Sequence, residues 1–334
     1  MAKEKINSIL ILQGWAMLWV IIGHAPLDSA SGNPTLVQWL YDIAYSFHMP
    51  LFVFVSGYLF HLTRIARNTP YAKMMGEKLT RLGIPYVFFT LVAMAFKTLI
   101  PTAVKRQSEI SLKEFAYAMI CPSDGPLSEL WFVMMLLVLF AVYPLWKEHG
   151  GKVKAIAIIA VLLIVYHIIP DFKPNILSAS SVCHHAIYFA LGVFAARYRD
   201  AKLFSRKNIM AVVVTLAIAA VSDLIMPWNI KTLQLTMSFS GIILSILIAE
   251  LCDRYVPRIF ASFRNYTYQV FLMGIFFQIA VKYLYRLDII SNYALGYILC
   301  ILTGIYLPVA IALIAQRINN KYINLCLGLQ ARKS

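Results

Sequence analysis

Ile9-Leu-Ile-Leu-Gln-Gly-Trp-Ala-Met-Leu-Trp-Val-Ile-Ile-Gly-His24 is apolar throughout except for Gln13 and the closing histidine. Eleven residues separate those two polar side chains, about three helical turns. They therefore share one helix face, roughly 16 Å apart along the axis. Polar groups on a greasy helix are expensive against lipid, so that face is expected to look into protein or water. Two readings of this segment stay open: a buried Gln and a hydrogen-bonded interfacial His, or a functional pair.

Working outward, the rest of the chain has the same character. Hydrophobic residues make up 60% of 334 and charged residues only 13%, against roughly 45–50% apolar in a soluble domain. Mean hydropathy is +0.72. Ten apolar runs are long enough, or nearly so, to span a bilayer: 8–25, 38–61, 83–100, 130–146, 153–170, 183–197, 209–227, 234–251, 266–285 and 292–316. The sixth is short and is expected to recruit Ile176–Val182 or to tilt. The fold class is thus all-α, a polytopic membrane protein of about ten transmembrane helices. It is read as one unit over 1–334, closing in a short basic tail, 318–334.

With the N-terminus in the cytoplasm, 22 of the 30 Lys and Arg fall in alternate loops on that side. This is the positive-inside pattern, and it places both termini in the cytoplasm. It also accounts for the net charge of +15 without nucleic acid; a basic inner face meets anionic lipid and attracts anionic ligands. The N-terminal run carries a Gln and two Trp and reads as a retained helix rather than a cleaved signal. The five cysteines show no metal spacing, and no zinc, haem or phosphate-loop motif is present. Cys121 and Cys183 fall in outer loops, where pairing is permitted but not required.

The second run holds the densest polar signal, Asp42, Ser46, His48, Ser56 and Gly57 around Met49-Pro50. Pro50 lacks a backbone N–H and so frees the carbonyl one turn earlier, which then needs a partner. His24 closes the first helix near the outer side, and His48 lies about ten residues into the second from that same side. The two rings are expected to face one cavity.

Gly14-Trp-Ala-Met-Leu-Trp-Val-Ile-Ile-Gly-His24 followed by Ser46-Phe-His-Met-Pro-Leu-Phe-Val-Phe-Val-Ser-Gly-Tyr58 resembles the membrane acyltransferase-3 family, in particular its fucose O-acetylase-like, sugar O-acetyltransferase branch. The likeness continues through Lys78-Leu-Thr-Arg-Leu-Gly-Ile-Pro-Tyr86, Leu130-Trp-Phe132 and Tyr188-Phe-Ala-Leu-Gly192. It implies transfer of an acyl group, usually acetyl from acetyl-CoA, to a hydroxyl of a lipid-linked or surface glycan in a bacterial inner membrane. It also implies a catalytic role for His24. Gln13 stands where the family has a basic residue, Leu10 where an acidic one is common, and Gly274 where a late histidine often sits. Gln13 can hydrogen-bond a thioester but supplies no positive charge.

An alcohol needs a base as it meets a thioester, and an imidazole suits that work near neutral pH. His24 is expected to be the base, or to carry a transient acyl group, with His48 or Ser56 orienting it or the carbonyl. Lys78 and Arg81 are candidates to hold the phosphates of CoA at the inner mouth. A pantetheine arm would then thread inward to His24. Glu129 and Trp131 are candidates for the acceptor site, with Gln13 and Ser56 on the substrate path. The long outer segment Pro101–Glu129 is expected to cap the cavity. Asp223, His167, His184, His185 and Glu250 read as interfacial. No metal is called for. A glycan exporter, or a family member without turnover, is the rival reading, although the chain shows no related halves of the kind transporters have.

Overall fold

A computed structural model describes residues 2–27, 32–99, 110–147, 151–198 and 230–329. Helices α1 (Ala2–His24), α2 (Thr35–Phe60), α3 (Tyr71–Lys78), α4 (Ile84–Leu99) and α5 (Leu112–Ile120) come first. They are followed by α6 (Trp131–Ala141), α7 (Tyr143–Lys147), α8 (Gly151–Ile168) and α9 (Ala179–Arg197). The chain closes with α10 (Ile230–Tyr255), α11 (Thr267–Arg286), α12 (Tyr293–Ile318) and α13 (Lys321–Cys326). No strand occurs among the described residues. Among the described residues eight helices are long and apolar enough to cross a membrane, so the protein is an all-helical, multi-pass membrane protein.

The differences from the expected runs have local causes. The run at 130–146 is broken, because Pro144 cannot donate to the carbonyl of Phe140 and the helix stops at Ala141. Trp146 Nε1 donates instead to the Leu139 carbonyl at 2.7 Å. The short run at 183–197 is extended backward through Ile176–Ser178 into one span. The run at 209–227, with Asp223, lies outside the described residues, as do 101–109 of the outer segment. Beyond α12 the chain does more than trail off. Leu327 and Asn324 are buried, and Gln269 Nε2 donates to the Leu327 carbonyl at 2.9 Å. All five cysteines are free.

Lipid tails are as apolar as leucine, so helices in a bilayer are held by close packing rather than by water exclusion. Among the described residues the most extensive helix pair is α2 with α9. A Cβ on Gly57 would stand 2.2 Å from the Phe189 carbonyl oxygen, and one on Gly192 would stand 2.0 Å from that of Phe54. Only bare backbone allows this approach. Both glycines belong to the motifs quoted above. Pro50 behaves as expected: the Ser46 carbonyl, deprived of its helical donor, accepts from Ser238 Oγ of α10 at 2.8 Å. A Cβ on Gly241 would strike Phe47 at 2.4 Å, so α10 too lies close against α2. These contacts bring parts of α1, α2, α9 and α11 around a common space.

Candidate active site

That space is a cavity of about 550 Å³ at the end of the bundle where α1 finishes. His24, His48, Glu129 and Trp131 all line it, as do His184, His185, Asp171, Tyr45, Lys231 and Gln278. The convergence of His24 and His48 follows from two antiparallel helices whose histidines stand at the same depth.

The Tyr45 ring lies against both imidazoles, its centroid 5.9 Å from that of His24 and 5.0 Å from that of His48. His48 is 2% exposed, and its Nδ1 lies 2.5 Å from the Ala44 carbonyl one turn back. A carbonyl only accepts, so Nδ1 carries the proton, and in the neutral ring Nε2 is left as an acceptor. His185 repeats this arrangement with Ser181 at 2.8 Å. Its ring sits 5.2 Å from Trp131. His24 differs: among the described residues no group hydrogen-bonds its ring nitrogens. The charged groups acting on it are the Glu129 carboxylate and the Lys282 ammonium, of opposite sign. Lys282 Nζ also donates to the His24 carbonyl at 2.7 Å, closing the end of α1. Cation and helix C-terminus suit one another.

His184 plays another part. Its Nδ1 lies 3.2 Å from Asp171 and its Nε2 3.0 Å from the Ile169 carbonyl. With both nitrogens engaged it is a brace for the strap before α9 rather than a free base. Of the segment Pro101–Glu129, the described part opens with α5, which Ser111 caps by accepting from the Glu114 N–H at 3.1 Å. Beyond α5, Ser123, Ser128 and Glu129 reach the wall.

Other candidates fall elsewhere. Ser56 lies two turns beyond His48 along α2, about 12 Å, and is not on the cavity wall. Gln13 is likewise not on it. Alongside Gly14, next to Gln13, packs Arg264, whose Cβ is 3.1 Å from where a Gly14 Cβ would stand. Its guanidinium donates to Asn7 at 2.7 Å and to the Pro257 carbonyl at 3.0 Å. Positive charge thus lies beside this stretch of α1 from a distant part of the chain. At the opposite end of the bundle a groove of about 590 Å³ is lined by Arg64, Lys73 and Arg81, with Gly328 and Leu329 as its other wall. Arg64 pairs with Glu77. Lys78 is not on the groove; its ammonium sits over the Phe140 ring, 3.8 Å from the centroid.

Residues 6–313 match the family described as an acyltransferase domain. The chain belongs to that family. No curated protein and no solved structure matches it. The match spans nearly the whole chain, so the helices that form the histidine cavity are the acyltransferase domain itself. The protein is a membrane acyltransferase by family and by fold. Sequence reasoning read His184 and His185 as interfacial, whereas both line the cavity, and it passed over Tyr45, Lys231 and Gln278. The His184-His185 doublet opens a helix at the depth of His48, a signal that could have flagged His185. Nothing local marks Gln278.

Proposed function

We propose that the protein is an O-acyltransferase that moves an acyl group, acetyl in the simplest case, from cytoplasmic acyl-CoA to a hydroxyl of a cell-surface or lipid-linked glycan. The observation that carries this reading is the meeting of His24 and His48 in one cavity with Glu129 and Trp131. A bacterial inner membrane, with both termini cytoplasmic, is the setting that fits the basic loops.

In this scheme the acceptor hydroxyl lies against Trp131, whose ring offers a flat apolar face. His24, its ring nitrogens open to the cavity, takes the hydroxyl proton as the oxygen attacks the thioester carbonyl. The tetrahedral intermediate collapses with cleavage of the C–S bond, and the proton passes from His24 to the departing CoA thiolate. Glu129 favours the transient imidazolium by its charge. His48 presents Nε2 as an acceptor and so orients a donor on the substrate. Arg81 and Lys73 in the groove at the other end suit the phosphates of the donor, which are costly to bring near lipid unpaired.

The test is transfer of label from radiolabelled acetyl-CoA by purified protein in detergent, wild type beside His24→Ala. The expected loss is roughly 10²–10⁴-fold. Full transfer by His24→Ala would end the assignment of the base. Absence of turnover and of CoA binding in the wild type, with glycan acceptors present, would turn the reading to an exporter.

A further inference from the structure

The last carbonyls of a helix have no intrahelical donor. At the end of α1 these are met from α11, whose Gln278 and Lys282 stand one turn apart on the same face. Gln278 Nε2 donates to the Ile21 carbonyl at 3.0 Å, and Lys282 Nζ to that of His24 at 2.7 Å. The Ile21 oxygen only accepts, so the amide must turn its NH2 toward it. That fixes the opposite orientation for Oε1. Gly304 of α12 makes the arrangement possible: a Cβ there would lie 3.1–3.3 Å from Gln278 Cγ, Cδ and Nε2.

Gln278 is 0% exposed, it lines the cavity that holds His24, and its Oε1 has no hydrogen-bond partner among the described residues. A buried acceptor left unmet is costly, and such groups are rare without a reason. A methionine would fill this volume without the orphan oxygen. We propose that Gln278 determines acceptor specificity: its Oε1 accepts a hydrogen bond from a second donor group, a hydroxyl or an amide N–H, beside the hydroxyl that is acylated. The cavity then takes vicinal polyols or acylamino sugars and rejects simple alcohols. This rests on the acyl transfer to a hydroxyl proposed above.

A site built to hydrogen-bond a substrate group discriminates strongly against the analogue lacking it. The probes are 4-nitrophenyl hexopyranosides and their monodeoxy counterparts, with radiolabelled acetyl-CoA as donor and the full chain in detergent. The readout is the ratio of kcat/KM for parent over deoxy acceptor within each variant, which a loss of folded protein or of donor affinity leaves unmoved. In the wild type one deoxy position should lower kcat/KM by about tenfold or more; in Gln278→Met the same position should matter by less than about threefold. Should Gln278→Met not fold, Gly304→Ala, which crowds the amide out of its place, carries the same comparison. Equal ratios in wild type and variant at every position would overturn the inference while leaving acyl transfer intact. No transfer to any acceptor by the wild type would overturn the proposed function, and the inference with it.

Discussion

Lys78 and Arg81 are three residues apart in one basic stretch, and the structure gives them different work. Sequence spacing allows both to face the same anion. In the fold, however, the Lys78 ammonium rests on the Phe140 face and 5.6 Å from the Phe60 centroid, where the ring quadrupole attracts it. Arg81 remains on the groove with Lys73. Arg81→Ala should therefore raise KM for acetyl-CoA about tenfold with little change in kcat, as loss of a charge-assisted hydrogen bond does. Lys78→Met should leave KM within about twofold and instead lower thermal stability. Steady-state kinetics at varied acetyl-CoA decides it; a larger KM effect in Lys78→Met would return that residue to the donor site. The histidines show the same limit of local reading. His48 and His185 both hold Nδ1 on a carbonyl one turn back, yet only the packing of α2 against α9 reveals that both rings line one wall.

At the scale of elements, α2 is the helix on which the site depends. It meets α9 through Gly57 and Gly192, and α10 through the Ser238–Ser46 hydrogen bond. Gly192→Ala would place a methyl against the Phe54 carbonyl, which is backbone and cannot swing aside. The helices must part, at roughly 1–3 kcal/mol. Ser238→Ala removes one hydrogen bond inside the bundle, at about 1 kcal/mol. Thermal unfolding in detergent should therefore rank Gly192→Ala below Ser238→Ala, and both below wild type. If Gly192→Ala proved as stable as wild type, close backbone contact would not be what joins α2 to α9. The run at 130–146 teaches the converse lesson. Its apolarity promised a full span, but one proline divides it into α6 and α7 and sends Trp146 back to the Leu139 carbonyl.

At the scale of the whole molecule, the two cavities stand at opposite ends of the bundle, and the transfer scheme requires the Arg81 end to face the cytoplasm. Val270 and Phe271 of α11 line the histidine cavity or its floor, while Tyr268 packs beside Gly328 of the basic groove. Tyr268 and Val270 are two residues apart, so α11 passes both spaces, and the scheme has the donor arm run along it. In a cysteine-free background, Asn33→Cys should react with a membrane-impermeant thiol reagent on intact cells. Lys73→Cys should react only after permeabilisation. The reverse pattern would place the basic groove outside, where CoA is absent, and would sink the scheme.

Hydropathy, charge bias and the motifs around His24 and His48 determined a polytopic helical bundle, the kinship with acyltransferases and two histidines that line one cavity. These are legible because lipid imposes its demand on each segment separately: every span must satisfy its own backbone and hide its own polar groups. Only the tertiary structure decided that Ser56 and Gln13 stand off the cavity wall, that Lys78 turns to an aromatic face, and that Gln278 reaches the end of α1. Those facts depend on which helix faces which and at what depth. That choice is made by small residues such as Gly57, Gly192 and Gly304, whose message is the absence of a side chain and can be read only against the neighbour it admits.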